Sequence, residues 1–154
     1  MGISVFALKA AVVTALQALV PTTADLVQGG MPAEVPPIAL RRRVYVLNVA
    51  RDEPLLIYVP GSQIRTETYE LPIALEVVKF TGHSPTGYAD TETEMGALVA
   101  AIETLCANDP SWGGVVFQSG LALASESCGP YGEQAGTGWC AHALLELHVM
   151  RKGA

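Results

Sequence analysis

The chain has 154 residues, of which 50% are hydrophobic, 16% charged and 6% aromatic, and its formal net charge is -6. That length and apolar content predict one domain, residues 1–154, with a buried core, and exclude a disordered chain. Residues 80–150 contain no Lys or Arg but hold Asp90, Glu92, Glu94, Glu103, Asp109, Glu126, Glu133 and Glu146. This half lacks the basic footprint that sequence-independent nucleic-acid binding needs. Few surface charges also suit a protein that meets other subunits.

In chain order, the first element is an amphipathic helix. Val5, Leu8, Val12, Leu16 and Leu19 recur at spacings of three and four, Ser4 is an N-cap candidate and Pro21 marks the stop. The start imitates two targeting signals. "MGISVF" has Phe6 where a myristoylation site needs Ser or Thr, and Lys9 and Gln17 interrupt a signal-like apolar run. With no uncharged run of membrane-spanning length, the expectation is a soluble protein of a reducing compartment.

Residues 22–37 read as loop, rich in Gly and Pro. Two β-rich runs, 44–49 and 55–59, then flank a polar joint at Arg51, Asp52, Glu53 and Pro54. "SQIRTETYE" alternates as an edge strand or long hairpin arm. "LPIALEVVKF" reads as a further strand, with Pro72 at its start. "TGHSPTGYAD" is turn chemistry.

The second helix carries the stripe Met95, Leu98, Val99, Ile102, Leu105 and Cys106. Thr91 and Glu94 fit a capping box, and Asp90, Glu92 and Glu94 suit a helix N-terminus. Asn108, Asp109 and Pro110 end it. Two long strands follow, 115–126 and 139–150, joined by a glycine-rich loop. In the last strand Ala141, Ala143, Leu145, Leu147 and Val149 share a core face. Cys140, His142, Leu144, Glu146, His148 and Met150 share the other. The order predicts an α+β domain: a mostly antiparallel β-sheet with two helices packed on one face.

Catalytic motifs are missing from the sequence: it has no GxSxG, P-loop or HExxH. His83 beside Ser84, and Asp52 beside Glu53, read as turn residues. Three widely spaced cysteines, Cys106, Cys128 and Cys140, form no disulfide framework. Cys140 and His142 share a strand face, but the pair lacks the third and fourth ligands that zinc wants, so neither metal nor cofactor is expected. Arg41, Arg42 and Arg43 read first as a solvated loop, and second as a patch for the acidic surface of a neighbouring subunit. Trp112 reads as a plug on the helix–strand corner, with Pro110 stopping the helix and Gly113 and Gly114 permitting the reversal.

The same corner, "IETLCANDPSWGGVV", resembles phage tail terminator proteins, which often carry a helix ending in an Asp-Pro-large apolar-Gly-Gly-Val pattern. Here the matching residues are Asp109, Pro110, Trp112, Gly113, Gly114 and Val115. "DEPLLIYVPGSQI", with Pro54, Tyr58 and Gly61, is similar to a strand of that family, as are "LPIALEVVKF" and "GWCAHALLELHV". "RTETYE" and "CGPYGEQAGTG" match no pattern of the family. The resemblance implies a structural virion protein without enzyme activity. It would assemble as a homohexameric ring in the host bacterial cytoplasm. The ring would cap the major tail tube protein, stop its polymerisation, meet the head–tail connector and let DNA pass its acidic lumen.

Partner contacts are expected from Ser62, Gln63, Arg65, Glu67 and Tyr69 in one polar arm (62–70) and from Tyr131 and Glu133 in another (127–137). Arg41, Arg42 and Arg43 are added from the charge run, and His142, Glu146 and His148 from the exposed face of the last strand. Two other readings stand beside this one. The first is a neck or tail-completion protein of related fold. The second is a small ligand-binding or enzymatic α+β domain.

Overall fold

The computed structural model describes residues 5–37, 39–51, 55–56, 65–116, 118–131 and 138–153. The chain is an α+β fold, with the sheet on one side and both helices against the same face. Helix α1 (Val5–Leu16) runs into a single 3-10 turn (Gln17–Leu19). Strands β1 (Leu26–Gly29), β2 (Arg42–Val46), β3 (Ala50–Arg51), β4 (Leu55–Leu56) and β5 (Arg65–Lys79) follow. Helix α2 (Pro85–Asn108) then leads to β6 (Gln118–Tyr131) and β7 (Gly138–Gly153). The sheet order is β1-β2-β5-β7-β6, and the short β3 and β4 pair with the first half of β5. All pairings are antiparallel except β1 with β2.

The core lies between the helices and one sheet face. Leu8, Val12 and Leu16 of α1 and Met95, Leu98 and Ile102 of α2 meet Val44, Val46, Leu71, Ile73, Leu75, Leu145 and Leu147. Period two along the strands and periods of three and four along the helices bring these side chains to one layer. Each fully buried Leu or Ile contributes about 2 kcal/mol.

Several expectations are corrected by tertiary pairing. The two segments read as separate strands around residue 70 form one continuous strand, β5. Pro72 therefore sits inside it, not at its start. Its carbonyl accepts from Leu47 N–H at 2.9 Å, in the gap between β2 and β3. In an antiparallel strand a residue's N–H and C=O point the same way, so the proton that proline lacks would face this gap, not the β7 ladder. Part of the predicted 22–37 loop is strand β1. A parallel partner needs a long crossover, and in the connection after β1 residues 31–36 lie over the far side of the sheet.

The capping box at Thr91 and Glu94 does not form. Ser84 is the N-cap of α2, its hydroxyl accepting from Gly87 N–H at 3.0 Å, with Pro85 at the first helical position. Thr91 is buried about two turns further in and donates to Gly87 C=O at 2.7 Å. The first turn contains no acidic residue, so Asp90, Glu92 and Glu94 lie beyond the helix-dipole terminus. Residues 115 and 116 belong to the turn before β6, not to the strand. Ser4 lies outside the described residues. No helix among the described residues is long and apolar enough to cross a membrane.

Candidate functional site on the outer face of the sheet

The strand alternation that builds the core also builds a second face, turned away from the helices. Arg43 and Tyr45 of β2, Glu70 and Glu76 of β5, and the even-numbered residues 140–150 of β7 line it. Parts of it are closed: Arg43 and Tyr45 are each 2% exposed and Cys140 is 5% exposed. The crossover after β1 supplies some of the cover. Residues 31–36 lie over β2 and β5 and leave an open groove of about 350 Å³ that reaches Arg43, Tyr45, Glu76 and Tyr131. Burial and the Glu76 carboxylate push the Tyr45 phenol up.

The three arginines at and just before the start of β2 each find a carboxylate in their own chain. Arg41 meets Glu94 at 3.5 Å and the Val78 carbonyl at 3.4 Å. Arg42 is bidentate on Asp25, at 3.1 and 2.9 Å, and also donates to the carbonyls of Pro21 and Thr22. Arg43 forms a short hydrogen-bonded ion pair with Glu76 and donates to Leu40 C=O. The run is therefore not a solvated loop. Its cations reach acidic groups brought beside β2 by folding. Charge-assisted pairing with Arg42 holds the Asp25 carboxyl below its usual range.

Beside Arg43 lies a cluster of three different donors. Glu76 on β5 is directly opposite His142 on β7, and Cys140 is two residues before His142 on the same face. Cys140 Sγ and His142 Nε2 are 3.2 Å apart, and His142 Nδ1 is 3.8 Å from Glu76 Oε2. Burial first, then the Glu76 carboxylate, pushes the Cys140 thiol up to about 12. A thiol held protonated is a poor nucleophile, so the thiol–imidazole–carboxylate chain does not read as a cysteine hydrolase. As a set of sulfur, nitrogen and oxygen donors it can hold a cation. Farther along the same two strands, Glu70, Glu146 and His148 form a second cluster, with His148 Nε2 3.7 Å from Glu146 Oε2.

Reading the sequence missed Glu76. A single carboxylate in the otherwise apolar stretch 71–78 was the available signal, but the β5–β7 register alone places it against His142. All three cysteines are free thiols.

The remaining expected contact residues scatter. Tyr69 is 8% exposed and belongs to the core, not to a polar contact arm. Its place in β5 puts it on the inward side with Leu71 and Ile73. Arg65 and Glu67 lie in β5, which is a strand as expected but is interior to the sheet and not at its edge. Tyr131 closes β6 and meets the Phe80 ring edge-on at 5.7 Å. His142, Glu146 and His148 share the outer face. Ser62, Gln63, Glu133, Pro54, Tyr58 and Gly61 lie outside the described residues.

The corner between α2 and β6 is closely bonded. The Asp109 carboxylate accepts from Ser111 N–H at 3.2 Å, Ser111 hydroxyl at 2.6 Å and Gly113 N–H at 2.7 Å. These donors hold its carboxyl below the usual range. Pro110 follows the last helical turn, and Trp112, Gly113 and Gly114 all take positive φ, at 51°, 75° and 83°. Three left-handed residues in a row reverse the chain and drive the Trp112 ring into the core, where it is 4% exposed.

Beyond the corner, β6 forms the margin of the sheet. It pairs with β7 on one side, and residues 122–127 are exposed. No protein-family model and no curated protein matches the chain.

Proposed function

We propose that this protein is a structural component of a phage tail, a homohexameric ring that caps the tail tube. The observation that carries this reading is the β6 edge. Its sequence, QSGLALASESCGPY, has one charged residue, Glu126, and one proline, Pro130, near its end. Monomeric proteins guard long sheet edges with lysines, prolines or covering segments. β6 has a single bulge between Leu123 and Ser125, which divides the edge into two arms. Exposed Leu123, at 47%, lies beside that bulge. An edge so lightly defended suits pairing with another chain.

Two further features support the reading. The Asp109–Gly114 segment that resembles the terminator family forms a rigid corner leading directly into β6. The run of residues 80–150 without a cation gives α2, β6 and most of β7 an acidic character that would repel DNA passing a ring lumen.

The test is mass in solution by light scattering over a concentration series, with and without purified tail tubes. The expected result is a hexamer, or a monomer that becomes a ring on tubes, with Leu123→Lys blocking assembly while the melting temperature holds. A chain that stays monomeric and ignores tubes overturns the reading. A ring that binds the head connector and not the tube would move the protein to the neck.

A further inference from the structure

We infer that Glu76, Cys140 and His142 form a binding site for one thiophilic divalent cation, Zn2+ foremost, on the outer face of the sheet. This does not rest on the proposed ring assembly. One ligand atom from each residue lies within 4.8 Å of the other two, and the Cys140 and His142 atoms are already 3.2 Å apart. Zn2+ takes Cys sulfur at about 2.3 Å and His nitrogen or carboxylate oxygen at about 2.0–2.2 Å. Tetrahedral bonds of that length put ligand atoms roughly 3.2–3.7 Å apart. The Cys–His distance of 3.2 Å is a few tenths of an ångström below the roughly 3.5 Å that a sulfur–nitrogen pair takes in this geometry, a gap the exposed imidazole closes. The Glu76 carboxylate, within 4.8 Å of the other two ligand atoms, closes on them by side-chain rotation.

Position and support also fit. Cys140 is buried at the floor, whereas the His142 side chain is 58% exposed and can swing onto an arriving ion. Arg43 holds Glu76 Oε1, which leaves Oε2 facing His142, 3.8 Å from Nδ1, so an ion taken by Nε2 beside Cys140 requires the imidazole to turn. Metal sites depend on such outer partners to fix their ligands. Binding converts the Cys140 thiol to a metal-bound thiolate and releases its proton to solvent, and nothing is oxidised. Water fills the fourth position.

The guanidinium of Arg43 adds a positive charge beside the ion. The thiolate and carboxylate together outweigh it by one negative charge. Affinity therefore comes from soft sulfur and imidazole donors, not from net charge, and this selects Zn2+, Co2+ or Ni2+ over Mg2+ and Ca2+. The neighbouring Glu70, Glu146 and His148 cluster has no sulfur and places two carboxylates together, so it serves as an internal control.

The test uses the full chain, stripped with chelator and titrated with Co2+ as a spectroscopic stand-in for Zn2+. The expected result is a thiolate-to-cobalt charge-transfer band that saturates at one equivalent, is displaced by Zn2+ and is untouched by a large excess of Mg2+. Cys140→Ser abolishes the band. His142→Ala, at an exposed position that the fold tolerates, weakens Co2+ binding at least about tenfold. His148→Ala leaves both band and stoichiometry unchanged. A folded protein with no charge-transfer band, a band that survives in Cys140→Ser, or binding unaffected by His142→Ala overturns the inference.

Discussion

The Trp112 indole N–H donates to the Ser119 hydroxyl at 3.0 Å, and that hydroxyl donates to the Pro110 carbonyl at 2.7 Å. One serine at the start of β6 thus locks the plug that closes the core and the end of the turn that carries it. Removing its oxygen leaves a buried indole N–H without an acceptor. Ser119→Ala is expected to cost about 1–2 kcal/mol in chemical denaturation. Trp112→Ala, which empties the corner, is expected to cost about 3–5 kcal/mol. Equal losses from the two variants would show that the ring's packing adds nothing to its hydrogen bond.

The turn before β6 is sensitive for a different reason. Gly113 and Gly114 hold positive φ, and nothing lies within 4 Å of a Cβ added at either one. An alanine there meets backbone strain alone. Gly113→Ala is expected to lower stability by about 1 kcal/mol, and the double alanine variant by about twice that. A double variant as stable as the parent in urea titration would mean that the turn relaxes to another conformation.

Arg43 and Glu76 form a pair in which the arginine side chain is 3% exposed and the glutamate 22%. Losing one partner strands the other charge away from bulk water. Arg43→Met should cost about 3 kcal/mol, and Arg43→Met with Glu76→Leu should recover most of that loss. Melting curves of the single and double variants decide it, and a double variant no more stable than the single one refutes the account.

The Asp25–Arg42 pair predicts an acid limb. The folded Asp25 carboxyl titrates below its ordinary value of 3.8, first because of the Arg42 side-chain hydrogen bond. The unfolded chain therefore binds more protons in the window between the two values, so stability rises with pH across it. The contribution is complete above about pH 4–5 and is lost as pH falls through the folded value. Asp109 shifts in the same direction and adds to the limb. Asp25→Asn should flatten the fall in melting temperature between about pH 5 and 2. An unchanged acid limb in Asp25→Asn would remove Asp25 as its source.

Where a segment's own periodicity met the core, the sequence was sufficient. The stripes of α1 and α2 and the inward residues of β7 are legible because burial of apolar side chains follows the helix and strand periods. The Asp109–Gly114 corner was legible because proline and glycine act locally. Features that depend on partners distant in sequence were not legible. β1 is a strand only because β2 accepts it. Thr91 is internal because Ser84 caps the helix seven residues earlier. Residues 65–70 were legible as strand, but they join the following run as one interior strand because β7 extends to residue 153 and pairs with them. The outer-face cluster belongs to the same class. Cys140 and His142 are neighbours along one strand, but Glu76 joins them only through the register between β5 and β7, and Arg43 supports Glu76 only through that between β2 and β5. Hydrogen-bond pairing across 66 positions in sequence, from Glu76 to His142, is set by the whole sheet, and no local pattern encodes it.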